Sequence, residues 1–222
     1  MCGRFTRTKS IPAIAREFGV SEVSFELEPG YNIAPTQQVA VVISEGVRRL
    51  VPVQWGLVPS WAKDPSIGNK MINARAETIT EKASYRNAFK KRRCLVVADG
   101  FYEWQKTGDG KRPIYIRLKS GKPFGFAGLY EIWAPPQGEP ITTCTIITTE
   151  ANELMKPIHD RMPVIIPKDK EDLWLDAEVK DQETLLDLLK PYPSGDLEAY
   201  PVSRRVNSPA NNSPDCIKPS AR

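Results

Sequence analysis

The chain has 222 residues with 31 lysines and arginines against 27 acidic residues, a net charge of +4 and a pI near 8.8, enough length for one domain with its own core. That charge suits an anionic partner but falls short of the pI above about 9 that marks a dedicated nucleic-acid domain, and no apolar run serves as a leader or spans a bilayer. The four cysteines, Cys2, Cys94, Cys144 and Cys216, are scattered with no C-x-x-C pair, which argues against a zinc ribbon or a compact disulfide framework and for a reducing, cytosolic compartment.

In chain order, the first element is a helix over "SIPAIAREFG", with Ser10 as N-cap, Pro12 in the first turn, Ile11, Ile14, Ala15 and Phe18 on one face and Gly19 as the stop. Strands follow at "QVAVVIS" and "RRLVPVQW", a short helix at "EKASYRNAFKK", then strands at "RCLVVAD", "PIYIRL", "PFGFAGLY" and "TTCTIITT", all short and rich in β-branched and aromatic residues. "TGDGKRP" reads as a hairpin turn through Gly108, Asp109 and Gly110. Short helices are expected at "KEDLWLD" and "QETLLDLLKP", the leucines of the second packing inward and Pro191 ending it. The basic run Lys90, Lys91, Arg92 and Arg93 reads as a solvated helix end. The result is a single α+β domain over 1–209, mostly antiparallel, with a loose tail at 210–222 that is poor in apolar residues.

The opening "MCGRFT" places a thiol at the second position. If Met1 is removed, Cys2 carries the α-amine and the thiol on one carbon. At neutral pH roughly a tenth of an α-amine is unprotonated, against well under a thousandth of a lysine. Such an amine attacks an aldehyde to form an imine, and the neighbouring thiol closes a five-membered thiazolidine. The plainer reading of Cys2 is an ordinary buried cysteine.

Catalytic help has few sources. His159, in "PIHDRMPVII", is the one histidine and falls where a turn is expected, so a structural and a catalytic role are evenly balanced. In "VVADGFYEWQ", Glu103 is either a carboxyl with a raised pKa beside Tyr102 and Trp104 or, the reading the residues alone favour, a strand-end glutamate facing water. In "INARAET", Asn73 and Arg75 share a face if the segment is extended. Arg75 then suits a phosphate. Trp55 is expected in the core and Trp61, in a Pro-rich loop, is the better candidate for stacking on an unpaired base.

Taken together, "MCGRFT", "YNIAPTQ", "WGLVPSW", "INARAET", "ADGFYEW", "FAGLYEIW", "IHDRMPVII" and "PVSRRVN" resemble the SOS-response-associated peptidase (SRAP) domain over nearly the whole chain. The resemblance implies an α+β fold of mixed sheets with a barrel-like core and a few flanking helices. It further implies covalent capture of abasic sites in single-stranded DNA by a cytoplasmic monomer that needs no metal or cofactor. By the same resemblance Cys2 is the covalent residue after loss of Met1 and Asn73 positions the amine or the sugar. Glu103 shuttles protons, and His159 assists at the deoxyribose. Arg4, Arg75 and Arg161 are implied phosphate contacts, with Asn32 and Pro35 near the displaced bases. The alternative is a cysteine peptidase, or autopeptidase, with Cys2 as nucleophile and Glu103 or His159 as its base; a plain single-strand binding module is a third reading.

Overall fold

The computed structural model describes residues 2–23, 25–108 and 110–220. Met1, Asp109 of the expected hairpin and the last two residues of the tail lie outside them. In chain order the strands are β1 (Phe5–Arg7), β2 (Glu22–Val23), β3 (Gly30–Ile33), β4 (Gln38–Ser44), β5 (Arg48–Trp55), β6 (Asn73–Arg75), β7 (Arg93–Ala98), β8 (Gly100–Thr107), β9 (Gly110–Leu118), β10 (Phe124–Trp133), β11 (Ile141–Glu150), β12 (Arg161–Pro163), β13 (Ile165–Ile166) and β14 (Leu197–Pro201). The helices are α1 (Ile11–Phe18), α2 (Arg86–Lys91), α3 (Glu171–Leu175) and α4 (Gln182–Asp187).

The β-branched runs form a barrel because their apolar residues have to be covered on both faces. β11, β10, β7, β4 and β5 pair antiparallel in that order, and β5 returns to β11 in parallel, with Thr143 opposite Gln54 and Cys144 opposite Trp55. β7 is buried at every position. The second sheet, in the order β14, β9, β8, β1, β3, is antiparallel throughout and packs on the barrel through aromatic rings. Phe5 meets Trp55 at 5.1 Å and Phe126 at 5.9 Å between centroids, and the same layer holds Cys2, Ile33, Phe101, Ile114 and Ile116. This is the expected α+β architecture around a barrel. Among the described residues no helix is long and apolar enough to cross a membrane.

Local details follow their chemistry. α1 buries Ile11, Ile14 and Phe18 and stops where Gly19 adopts φ 61°, while Ser10 precedes it in extended conformation without a side-chain cap. α4 is capped by Asp181, whose carboxylate accepts the Thr184 N–H at 3.0 Å, and ends before Pro191. Its leucines do not all turn inward: Leu185 and Leu189 are buried, but Leu186 is exposed. The basic run also divides. Arg93 is buried, its guanidinium donating to the carbonyls of Phe89, Lys90 and Trp174, and Arg92 pairs with Glu131, so Lys90 and Lys91 alone remain exposed there.

The tail, expected to be loose, instead packs on the domain as far as residue 220. Cys216 is buried with Tyr102, Tyr115, Val202 and Val206, covering the face of the second sheet that turns away from the barrel. That face depends on one glycine. A Cβ at Gly100 would lie 2.1 Å from the Tyr115 hydroxyl, which bonds the Thr6 hydroxyl at 2.8 Å. Gly100→Ala should therefore cost roughly 1–3 kcal/mol through overpacking, read as a lower urea midpoint with an unchanged slope.

Candidate active site

The site is assembled at the start of β1. Phe5 faces Phe101 across the β1–β8 ladder, and the Tyr102 N–H donates to the Arg4 carbonyl at 3.0 Å. The ladder thus runs on toward the terminus and brings Glu103 alongside Cys2 and Gly3. From the barrel side comes β6, parallel to β11 with Asn73 opposite Ile146. The Asn73 amide nitrogen donates to the Cys2 carbonyl at 2.9 Å, and its Oδ1 is buried with no hydrogen-bond partner among the described residues. Buried acceptors are rarely left this way, so Oδ1 is available to a ligand's donor. The Tyr85 hydroxyl donates to the Asn73 carbonyl at 3.3 Å and steadies this strand.

His159 arrives on the turn that follows β11. Its backbone N–H donates to Met155 O at 2.8 Å, and the turn is tied to β8 by the Gln105 amide, which donates to Pro157 O at 3.0 Å. Its Nδ1 accepts the Arg161 N–H at 3.0 Å and lies 2.8 Å from the Asp160 carboxylate.

Electrostatics join these groups. Glu103 is 3 % exposed, so it is not a glutamate facing water. Burial lifts its carboxyl above the usual range, and the nearby His159 offsets part of the rise. Cys2 is fully buried; burial, with the Glu103 carboxylate adding to it, pushes its thiol far up, against the opposing pull of the Arg4 N–H. Burial and the neighbouring carboxylate together favour the thiol over the thiolate. Among the described residues no cluster of histidine, cysteine and acidic side chains could hold a metal ion.

The structure sorts the implied strand contacts. Arg75 is exposed at the end of β6 and Trp61 is 59 % exposed, while Trp55 is fully buried. Arg161 is held by a fork to Glu77, with Nη2 to Oε2 at 2.9 Å, and by the Thr148 carbonyl at 2.7 Å. Arg161 accordingly holds the Glu77 carboxyl below its ordinary value. Pro35 is half-buried in the loop after β3, where Thr36 has φ 74° and donates its N–H to the Trp55 carbonyl at 2.8 Å. Asn32 is 1 % exposed and its side chain is fully engaged within the protein, so it stands behind the surface and supports Arg4. Glu77, Tyr85 and Asn207 escaped the sequence reading. Glu77 inside "INARAET" and Asn207 at the end of "PVSRRVN" carried a signal through those motifs, and Tyr85 carried none.

Cys2, Asn73, a buried Glu103 and His159 gather near the start of β1 beside the barrel, and the chain belongs to the SOS response associated peptidase (SRAP) family, whose model matches residues 1–209. It is 50 % identical over 222 residues to the abasic site processing protein YoqW of Bacillus subtilis (strain 168), covering 98 % of this chain and 99 % of that one. It is 38 % identical over 225 residues to the abasic site processing protein HMCES of Gallus gallus, covering 86 % of this chain and 66 % of that one. A crystal structure of a protein from Bacteroides thetaiotaomicron superposes with a TM-score of 0.91 at 28 % identity, covering 99 % and 100 % of the two chains.

Proposed function

We propose that this chain captures the ring-opened aldehyde of an abasic site in single-stranded DNA as a thiazolidine on Cys2, once Met1 has been removed by the chain itself or by an aminopeptidase. The observation that carries the reading is the neutral, buried Cys2 thiol placed beside Glu103 and within the field that links Glu103 to His159. In the first step the α-amine adds to the aldehyde carbon. Proton transfer through Glu103 and His159 then expels water and leaves an imine. The thiol adds to the imine carbon, a carbon–sulfur bond forms and the thiol proton ends on nitrogen, so the whole capture releases one water. Asn73 holds the Cys2 carbonyl and thereby the attacking amine.

The same observation weighs against a cysteine peptidase that acts on other chains. A peptidase needs a thiolate and arranges positive charge to lower its pKa, whereas this thiol is raised by burial and by a carboxylate. Where the ring fails to close, the imine would permit β-elimination, which gives the site a latent lyase activity. The exposed Arg75 and Trp61 suit a phosphate and an unpaired base. The carboxylate-lined cleft of about 920 Å³ at Glu45, Asp169, Asp172, Asp176 and Glu178 does not suit a polyanion.

Intact-mass measurement before and after incubation with a single-stranded oligonucleotide carrying one abasic site tests the proposal. The expected product is protein lacking Met1 plus one oligonucleotide minus one water, absent with an undamaged strand. Failure to form it by protein whose mass confirms that the chain starts at Cys2 would overturn the proposal.

A further inference from the structure

The segment 204–216, which runs past the end of the family match at residue 209, packs against Arg4 and Asn32. Arg4 Nη1 donates to Asn32 Oδ1 at 2.7 Å and to the Val206 carbonyl at 2.8 Å. The Asn32 amide nitrogen faces the carbonyls of Val206, Ser208 and Asn211 at 3.2, 2.9 and 2.8 Å. A side-chain amide has one donor end and one acceptor end, so three carbonyls on the nitrogen side fix its orientation and leave Oδ1 for the guanidinium. The carbonyls are themselves held in place. Asn211 bonds the Ser208 carbonyl through its N–H at 3.1 Å and the Arg205 carbonyl through Nδ2 at 2.7 Å, and Asn212 Oδ1 accepts the Tyr31 N–H at 2.6 Å. The same turn reaches Trp104, whose indole N–H donates to Asn207 Oδ1 at 2.8 Å and whose ring lies 5.7 Å from the Arg4 guanidinium.

Charge makes this arrangement informative. Arg161 is forked onto a carboxylate, which cancels much of its attraction for a phosphate. Arg4 is held by an amide oxygen and a backbone carbonyl, both neutral, so its orientation is fixed and its full charge is kept. Its Nε is buried without a partner among the described residues. Nη1 is spent on the two acceptors, which leaves the Nη2 end of the fork for a ligand.

We propose that Asn32 is a positioning residue for phosphate recognition: oriented by the segment 204–216, it fixes Arg4 against a phosphate of the bound strand. This rests on the reading of the site as one for single-stranded DNA. Undamaged single-stranded oligonucleotide isolates binding from covalent chemistry, and its affinity is measured against salt for the full-length protein, below the melting temperature of each variant. Loss of one phosphate contact flattens the slope of log K against log salt by about 0.7 on a single strand.

Arg4→Ala should show that change, Asn32→Ala should reproduce it, and the double variant should flatten the slope no further than Arg4→Ala alone. Asn32→Asp keeps the shape but loses the donor end and pairs Arg4 with a carboxylate, so it should flatten the slope at least as much. It carries the test if the alanine variant does not fold. A merely structural Asn32 would lower the melting temperature and leave the slope alone. A flattened slope in Arg4→Ala with wild-type slopes in the Asn32 variants, or additive effects, would overturn the inference while leaving the DNA reading intact. An unchanged slope in Arg4→Ala would remove the phosphate contact itself and the inference with it. Asn211→Pro, which removes the N–H that holds its turn, should flatten the slope in the same sense; a wild-type slope there would overturn the part assigned to the segment.

Discussion

Cys2→Ser should abolish the heat-stable adduct with an abasic strand while the protein still forms an imine at the same site. Serine keeps the α-amine and still permits removal of Met1, so the first half of the chemistry survives. Its hydroxyl is a poorer nucleophile than a thiol, and the five-membered ring it forms with an aldehyde reopens readily. The imine then persists and β-elimination at the 3′ phosphate nicks the strand. Denaturing gels should show no adduct above background, retained or increased cleavage, and a complex that borohydride traps. A stable adduct without reductant would mean that the thiol is dispensable, and the thiazolidine would have to be given up.

Glu103→Gln separates chemistry from binding. Loss of a positioned general acid–base should slow cross-linking by about 10²–10⁴-fold, with affinity for the undamaged strand near wild type; equal losses in the two assays would mean that Glu103 only supports the fold. Stability should move the other way. Burial raises the carboxyl in the folded state, so the folded protein holds that proton more tightly than the unfolded chain does. Stability therefore falls as pH rises from the ordinary glutamate value of about 4.3 through the raised folded value. Glutamine has no such dependence. The variant should melt higher than wild type at pH 7, with the gap closing toward pH 4, and a lower melting temperature at pH 7 would contradict the desolvated carboxyl.

The barrel was readable because its strands are runs of several residues rich in β-branched and aromatic side chains, and "QVAVVIS" and "RRLVPVQW" coincide with β4 and β5. β1, β3 and β6 were not, since three or four residues are too few to show a period and their pairing is decided by partners far along the chain. Glu103 shows the same limit from another side: local sequence set it at a strand end, but β8 runs on through Gly100–Thr107 and carries it under cover. Residue type, not periodicity, singled out His159 as the one histidine and Asn73 as an amide beside Arg75, and the motif resemblance supplied the roles implied for them. The tail was misjudged because it is held mostly by carbonyls and the amides of Asn32, Asn211 and Asn212, and such bonds leave no apolar pattern to read.

Cys2 is sealed by residues that the ribosome makes long after it. It lies in one apolar cluster with residues of β3, β8 and the barrel strands and on to Ile165 and Leu197, and at about 5–20 residues per second a chain of 222 residues takes roughly 10–45 s to complete. Through that interval the thiol is an ordinary one with a pKa near 8.5, open to oxidants. The fold thus acts as a delayed shield of its own thiol against oxidation in bulk solvent.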